Sequence, residues 1–227
     1  MNLLSKRRRK KWKILKIQLF AIYWLYYCLS DYFFWIRLLL SFQISDNQSF
    51  VLAIGVLLMG IVVSVACYLA RKNGSLKPLR QTITKQNWKF ILGMFALTYI
   101  SQLALQLIFQ FLGISGNTVN QQVIEQSMNS LPRWYMGLMI LIVAPIVEEF
   151  FCRSLVFQTI RNKKVAFIVA TLIFTLLHVQ TLEWNVLIYL VMSLILTATY
   201  ARHENLNESI AVHFLNNLIG FVALLVM

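Results

Sequence analysis

Three charged residues interrupt an otherwise apolar stretch of the sequence. The stretch reads PIVEEFFCR, from Pro145 to Arg153, and places Glu148 and Glu149 among Leu, Ile, Val, Met and Phe. A charge at the centre of a membrane helix costs about 2.5–3.5 kcal/mol on insertion scales. A carboxylate held in such surroundings can transfer protons as a general acid or base. We therefore expect each of these charges to have either a chemical role or a partner.

The spacing of the three charges on a helix separates their roles. Successive residues advance about 100° around a helix axis, so Glu149 and Arg153 lie about 40° apart and share a face. Glu148 lies about 140° from Arg153 by the same count. We therefore predict an ion pair between Glu149 and Arg153, with Glu148 presented elsewhere as a candidate general base. We also expect Pro145, which lacks a backbone N–H, to leave the carbonyl of Leu141 without its helical partner and to disturb the helix.

Further polar residues occur at a similar depth in later apolar stretches. At 1.5 Å per residue, Glu148 and His178 each lie roughly 20 Å from the basic residues at one end of their helices. His213 and Asn217 lie roughly 16 and 22 Å from Arg202 if their helix extends that far back, although the sequence HENLNES is typical of a loop. A single histidine or asparagine in a membrane often only hydrogen-bonds a neighbouring helix. Four such groups at one depth favour a polar site.

The composition places these residues in a membrane protein. Of the 227 residues, 59% are hydrophobic, and the mean hydropathy is +0.68. Soluble domains are roughly 45–50% apolar. We therefore predict an all-α polytopic membrane protein, with a basic cytoplasmic segment at 1–16 and a single transmembrane helical domain at 17–227.

Apolar stretches of about 20 residues, the length that crosses the hydrocarbon core, mark the membrane spans. The sequence predicts about seven of them, at 17–42, 50–70, 90–112, 134–159, 165–180, 185–201 and 210–227. Basic residues are concentrated in alternate connections, at 6–16, 71–89, 161–164 and 202. The other connections, 43–49, 113–132 and 181–184, contain neither Lys nor Arg, and Arg133 lies at the very edge of the span that follows. Because cationic loops remain in the cytoplasm, we predict a cytoplasmic N-terminus.

Two compositional features argue against other classes of function. The net charge of +13 suggests nucleic-acid binding in a soluble protein, but here the basic residues flank apolar stretches and orient them, so we expect no nucleic-acid partner. The cysteines, Cys28, Cys67 and Cys152, have neither metal-ligand nor redox spacing. We expect them to pack as small apolar side chains.

The order of the polar motifs resembles that of a known family. The motifs Glu-Glu-x-x-x-Arg, Phe-x-x-x-His and His-x-x-x-Asn occur here as EEFFCR, FTLLH and HFLNN. This pattern is similar to that of the CAAX protease and bacteriocin-processing family, also called the Abi family, which includes the type II CAAX prenyl endopeptidases. The resemblance covers about residues 134–217, the catalytic core that it implies. It implies an intramembrane, glutamate-dependent endopeptidase that acts as a peptide-bond hydrolase.

The resemblance also implies a role for each motif residue. Glu148 and His178 would position and deprotonate the attacking water. His213 and Asn217 would form the oxyanion hole of the tetrahedral intermediate. The supporting residues that it implies are Glu149, Arg153 and Phe174.

A zinc site is the alternative use of the same residues. Glu148, His178 and His213 could form a two-histidine, one-carboxylate site. The sequence has no HExxH motif, and the resemblance favours a metal-free site, so we expect no cofactor.

The expected partners follow from the membrane location and from the resemblance. They are a peptide or protein substrate at the membrane and the lipid bilayer, in a bacterial cytoplasmic membrane. The short chain resembles family members that act in bacteriocin processing or self-immunity. One alternative is a non-catalytic immunity protein that sequesters a peptide or a receptor, and another is an ion or proton pathway.

Overall fold

The chain folds as a set of helices. The computed structural model describes residues 48–114, 118–179 and 183–226. The helices in these ranges are α1 (Gln48–Lys72), α2 (Leu79–Thr82), α3 (Lys85–Phe111), α4 (Val119–Ser130), α5 (Arg133–Thr159), α6 (Lys163–His178), α7 (Val186–His203) and α8 (Leu206–Val226). No strand occurs in the described ranges. The all-α prediction is therefore confirmed.

Five of the described helices are long and apolar enough to cross a membrane, namely α1, α3, α5, α7 and α8. They coincide with predicted spans, and the protein is a multi-pass membrane protein. The predicted span at 165–180 corresponds to α6, whose 16 residues are fewer than the roughly 20 that cross a hydrocarbon core at right angles. The segment at 1–16 and the span at 17–42 lie outside the described residues. The total of seven spans and the cytoplasmic N-terminus stay predictions.

The chain divides into two compact units, Met1–Ile61 and Val62–Met227, and the boundary falls inside α1. In the first unit, the structure describes only the beginning of α1, from residue 48 onward. The second unit holds every residue singled out for chemistry. The single domain expected at 17–227 stays a prediction.

The core of the second unit lies where five of its helices meet. Helix α5 is central, since 56% of its most apolar stretch is buried, against 11% for α3. The core cluster takes side chains from α3, α5, α6, α7 and α8, namely Ile91, Cys152, Phe174, Met192, Leu196 and Val212. The Cys152 thiol is free and fully buried, which agrees with the predicted packing role. This cluster fixes α5, α6 and α8, the three helices that carry the polar motifs.

The connection between α7 and α8 is shorter than the sequence suggests. HENLNES was expected to form a loop, but only Glu204 and Asn205 separate the two helices. The loop expectation is wrong because these polar side chains pair locally, with Asn205 Nδ2 donating to Glu208 Oε1 at 3.0 Å. Helix α8 therefore begins at Leu206, and His213 lies in its second full turn.

The polar segment at 113–132 is not simply a loop, because it contains α4. The Thr118 hydroxyl caps this helix and accepts a hydrogen bond from the Gln121 backbone N–H at 3.1 Å. A search for apolar stretches passes over a helix as polar as this one.

Candidate active site

The helix that carries both carboxylates is irregular. Two π-helical segments, Leu138–Val143 and Phe150–Leu155, interrupt α5 on either side of Ala144–Glu149. Wider π turns of this kind occur often at functional sites. The disturbance expected at Pro145 is therefore present, and it takes the form of a π-helical segment that ends just before the proline.

The first π-helical segment recruits a side chain from α8. The Ala144 N–H bonds the carbonyl of Met139, five residues back, rather than that of Ile140. Pro145 has no N–H to offer in its place. Asn217 Nδ2 donates to the Ile140 carbonyl at 2.9 Å. The carbonyl that lacks its helical partner is therefore that of Ile140 rather than that of Leu141. Asn217 on α8 donates a hydrogen bond to it.

Glu149 and Arg153 form the ion pair that their spacing predicts. Arg153 Nη1 lies 2.8 Å from Glu149 Oε1, and both side chains are fully buried. Arg153 Nη2 also donates to Ser193 Oγ on α7 at 3.2 Å, and its guanidinium lies 4.3 Å from the centre of the Phe174 ring. The pair therefore joins α5, α6 and α7 at the level of the site.

His213 is oriented by the same buried carboxylate. Its Nδ1 lies 3.0 Å from Glu149 Oε1. A carboxylate ionised against Arg153 only accepts hydrogen bonds, so the His213 Nδ1 carries a proton and donates it. Its Nε2 then faces Glu148 Oε2 at 3.8 Å. Glu149 thus has a second partner, which the helical spacing alone did not predict.

His178 is held by a backbone carbonyl and by two aromatic rings. Its Nδ1 lies 2.8 Å from the Phe174 carbonyl, which only accepts, so Nδ1 is the donor. The imidazole stacks on the Phe174 ring at 4.2 Å and on the Tyr189 ring at 5.1 Å between centroids. Its Nε2 faces Glu148 Oε2 at 3.4 Å.

Glu148 is therefore the point where the three motifs converge. Its Oε2 faces the Nε2 atoms of His178 and His213, and both separations exceed the usual N–H···O length of about 2.9–3.0 Å. Among the described residues, the Glu148 Oε2 atom is buried and has no hydrogen-bond partner. The Glu148 side chain is 24% exposed and that of His178 is 15% exposed, whereas Glu149 is fully buried. Of the two adjacent carboxylates, Glu148 is therefore the one whose side chain is partly exposed.

The zinc alternative gains no support from this geometry. Among the described residues, no group of three or more His, Cys, Asp or Glu is arranged to hold a metal ion. The zinc alternative uses Glu148, His178 and His213, the same groups that converge in the structure. Addition of a chelator tests directly whether they hold zinc.

Helix α7 contributes residues that the sequence analysis missed. Tyr189, Ser193 and Thr197 follow one another at intervals of four and lie on one face of α7. Tyr189 contacts His178, Ser193 contacts Arg153, and Thr197 accepts a hydrogen bond from α6. Polar residues at this spacing in an apolar helix were the signal that could have identified this face.

Replacing Asn217 by Leu is expected to lower the free energy of unfolding by about 1–3 kcal/mol, because the Ile140 carbonyl loses its donor. The neighbouring Asn216→Leu is the matched control, since Asn216 Nδ2 contacts the Met192 sulfur, a weak acceptor, at 3.8 Å. Unfolding of the purified variants in detergent measures both changes. Equal losses for the two variants would contradict the role assigned to the Asn217 amide.

Comparison with known proteins identifies a family match over the region that contains the three motifs. Residues 130–219 match the family described as type II CAAX prenyl endopeptidase Rce1-like. Over 155 residues, the chain is 30% identical to UPF0177 protein YbdI of Lactococcus lactis subsp. lactis, covering 67% of this chain and 85% of that protein. Over 158 residues, it is 32% identical to UPF0177 protein YajF of the same organism, covering 68% and 76%. No solved structure matches the chain.

The residues that match the family description contain all three polar motifs and the whole cluster around Glu148. The similarity to the two UPF0177 proteins extends the relationship to most of the chain. The chain belongs to the CAAX protease and bacteriocin-processing (Abi) family.

Proposed function

We propose that this protein is an intramembrane endopeptidase that hydrolyses a peptide bond of a membrane-associated peptide or protein. The observation that carries the proposal is the placement of Glu148 Oε2 opposite the Nε2 atoms of His178 and His213. Membership of a protease family supports peptidase chemistry at this site.

In the proposed reaction, Glu148 is the general base. A water bound between Glu148 Oε2 and His178 Nε2 loses a proton to the carboxylate and attacks the scissile carbonyl. The Phe174 carbonyl holds the proton of His178 on Nδ1, so the lone pair on Nε2 is free to orient the water. The protonated Glu148 then returns the proton to the leaving amine.

The oxyanion donors in this mechanism are His213 and Asn217. His213 acts as an imidazolium that donates through Nδ1 to Glu149 and through Nε2 to the oxyanion. Arg153 balances the charge of Glu149, so the carboxylate stays an acceptor. Asn217 uses one amide hydrogen on the Ile140 carbonyl and has a second for the oxyanion. One preorganised donor of this kind is worth about 2.7–4 kcal/mol of transition-state stabilisation.

The proposed setting is a bacterial cytoplasmic membrane, where the bilayer surrounds the protein and the substrate reaches Glu148 from within it. Substrates of this kind include precursors of bacteriocins and peptides handled in self-immunity. No nucleic-acid partner is required, because the basic segments suffice to orient the helices.

The purified protein in liposomes is expected to cleave at least one of three probes. These are a prenylated CAAX peptide, the same peptide without its prenyl group, and a cationic amphipathic peptide. Product analysis by mass spectrometry measures cleavage and locates the scissile bond. Failure of the folded wild-type protein to cleave any of them would contradict the proposed function.

Addition of a metal chelator is expected to leave the cleavage rate unchanged, because the mechanism uses only side chains. The same liposome assay, run with and without the chelator, measures the effect. Loss of activity that added zinc restores would overturn the metal-free mechanism in favour of the site at Glu148, His178 and His213.

A further inference from the structure

The outer face of the His178 ring is covered by a residue that no motif contains. Tyr189 stacks on the imidazole at 5.1 Å between centroids, with an angle of 27° between the rings. Phe174 covers the opposite face at 4.2 Å and 26°. The hydrogen bond from Nδ1 to the Phe174 carbonyl fixes one edge of the ring. Two stacked rings and one hydrogen bond therefore determine where Nε2 points.

Tyr189 is itself tied to another part of the chain. Its hydroxyl lies 2.9 Å from Thr118 Oγ1, and Thr118 is 8% exposed. The same Oγ1 accepts the hydrogen bond from the Gln121 N–H that caps α4. A hydroxyl offers one donor and two acceptor sites, so Thr118 can hold Tyr189 and cap the helix at once.

These contacts form a continuous path from α4 to the reacting atoms. The path runs from the first turn of α4 through Thr118 and Tyr189 to His178, and from there to Glu148. Helix α4 is also joined to α5, the helix of Glu148, by a connection of only two residues at 131–132. A shift of α4 would therefore move His178 through Tyr189 and Glu148 through α5. It would thus change the distance between His178 Nε2 and Glu148 Oε2.

We propose that Tyr189 is a positioning residue for the peptidase reaction, which holds His178 toward Glu148 and couples this orientation to α4 through Thr118. The inference rests on the proposed function. The aromatic ring performs the first task, because it fixes the plane of the imidazole. The hydroxyl performs the second, because it bonds the residue that begins α4.

Two substitutions separate the ring from the hydroxyl. Tyr189→Leu removes the stacked ring, and it is expected to lower kcat about 10- to 100-fold with little change in KM, since small misplacements of catalytic groups have effects of this size. Tyr189→Phe keeps the ring and loses the hydrogen bonds of the hydroxyl to Thr118 and Asn120, so we expect a smaller loss in kcat, about three- to tenfold.

A double-mutant cycle tests the coupling to α4. Thr118→Val should also lower kcat, and the double variant should lose less than the product of the two single losses, because both variants remove the hydrogen bond between Tyr189 and Thr118. Thr118→Val additionally removes the cap of α4. Thr118→Ser keeps the hydroxyl and is expected to restore the wild-type kcat. Full additivity of the two losses, or a Thr118→Ser variant as slow as Thr118→Val, would overturn the coupling.

A chemical measurement tests the positioning without requiring activity. Diethyl pyrocarbonate modifies imidazole nitrogens, and peptide mapping reports the rate at each histidine. Tyr189→Leu is expected to raise the rate at His178 several-fold, with His203, which is 37% exposed, as the internal reference. An unchanged rate at His178 would overturn the positioning role.

The two sets of results distinguish this inference from the proposed function. An inactive wild-type protein whose His178 reactivity responds to Tyr189→Leu would contradict the peptidase function and retain the positioning role. An active wild-type protein that keeps its full kcat in Tyr189→Leu would retain the function and overturn the positioning role.

Discussion

Replacement of Glu148 by Gln is expected to abolish peptide cleavage, with a fall in kcat of at least about 10³-fold. Glutamine keeps the shape of the side chain, but it replaces one carboxylate oxygen by an NH₂ donor and cannot accept a proton from water. General-base catalysis alone contributes about 10²–10⁴-fold. His178 Nε2 and His213 Nε2 lie 3.4 and 3.8 Å from the Oε2 that is replaced, so the variant also loses the charge that both imidazoles face. Steady-state kinetics in liposomes measures the effect.

The matched control is Glu183→Gln, the same change at an exposed glutamate in the connection before α7. It is expected to keep the wild-type kcat. Membrane extraction and thermal unfolding of both variants show whether the fold is retained. A folded Glu148→Gln protein that is as active as Glu183→Gln would remove Glu148 from the mechanism.

Replacement of Arg153 by Met is expected to cause the largest loss of stability, about 3–5 kcal/mol. The change leaves Glu149, which is fully buried, without its guanidinium partner at 2.8 Å, and a buried ion pair that has lost one member is strongly destabilising. It also removes the hydrogen bond to Ser193 and the contact with the Phe174 ring. Unfolding in detergent, followed by the loss of helical signal, measures the difference from the wild-type protein.

Two comparisons make this prediction specific. The double variant Glu149→Gln with Arg153→Met is expected to be more stable than Arg153→Met alone, because it no longer buries a carboxylate that has lost its guanidinium partner. Lys163→Met breaks a 2.7 Å ion pair with Glu204 in which both side chains are about half exposed, and it should cost at most about 1 kcal/mol. Equal losses of unfolding free energy in Arg153→Met and Lys163→Met would contradict the prediction that the buried ion pair stabilises the fold more than the exposed one.

The features that sequence predicts well here are those set by local geometry. Glu149 and Arg153 are four residues apart on one helix, so their pairing follows from the helical repeat and needs no knowledge of neighbouring helices. Similar depths for Glu148 and His178 follow from the rise per residue and the positions of flanking basic residues. The five apolar helices follow from length and composition in the same way.

The features that sequence does not predict depend on which helices pack together. The contact of His213 with Glu149 joins α8 to α5, and the stacking of Tyr189 on His178 joins α7 to α6. Neither can be deduced from spacing within one helix. Pro145 predicts that the helix is disturbed nearby. That the Ile140 carbonyl is the one without a helical partner depends on Asn217 lying within hydrogen-bonding distance on α8. The polar helix α4 is missed because its contacts, rather than its hydropathy, hold it in place.

The central claim is that Glu148 activates a water molecule for direct attack on the peptide bond. Single-turnover cleavage in isotopically labelled water (H₂¹⁸O), with mass spectrometry of the product and of the peptide containing Glu148, tests it most directly. Direct attack predicts one heavy oxygen in the new carboxyl group of the product and none in Glu148. Heavy oxygen in Glu148, with unlabelled product, would contradict the claim and show that the carboxylate itself attacks the substrate.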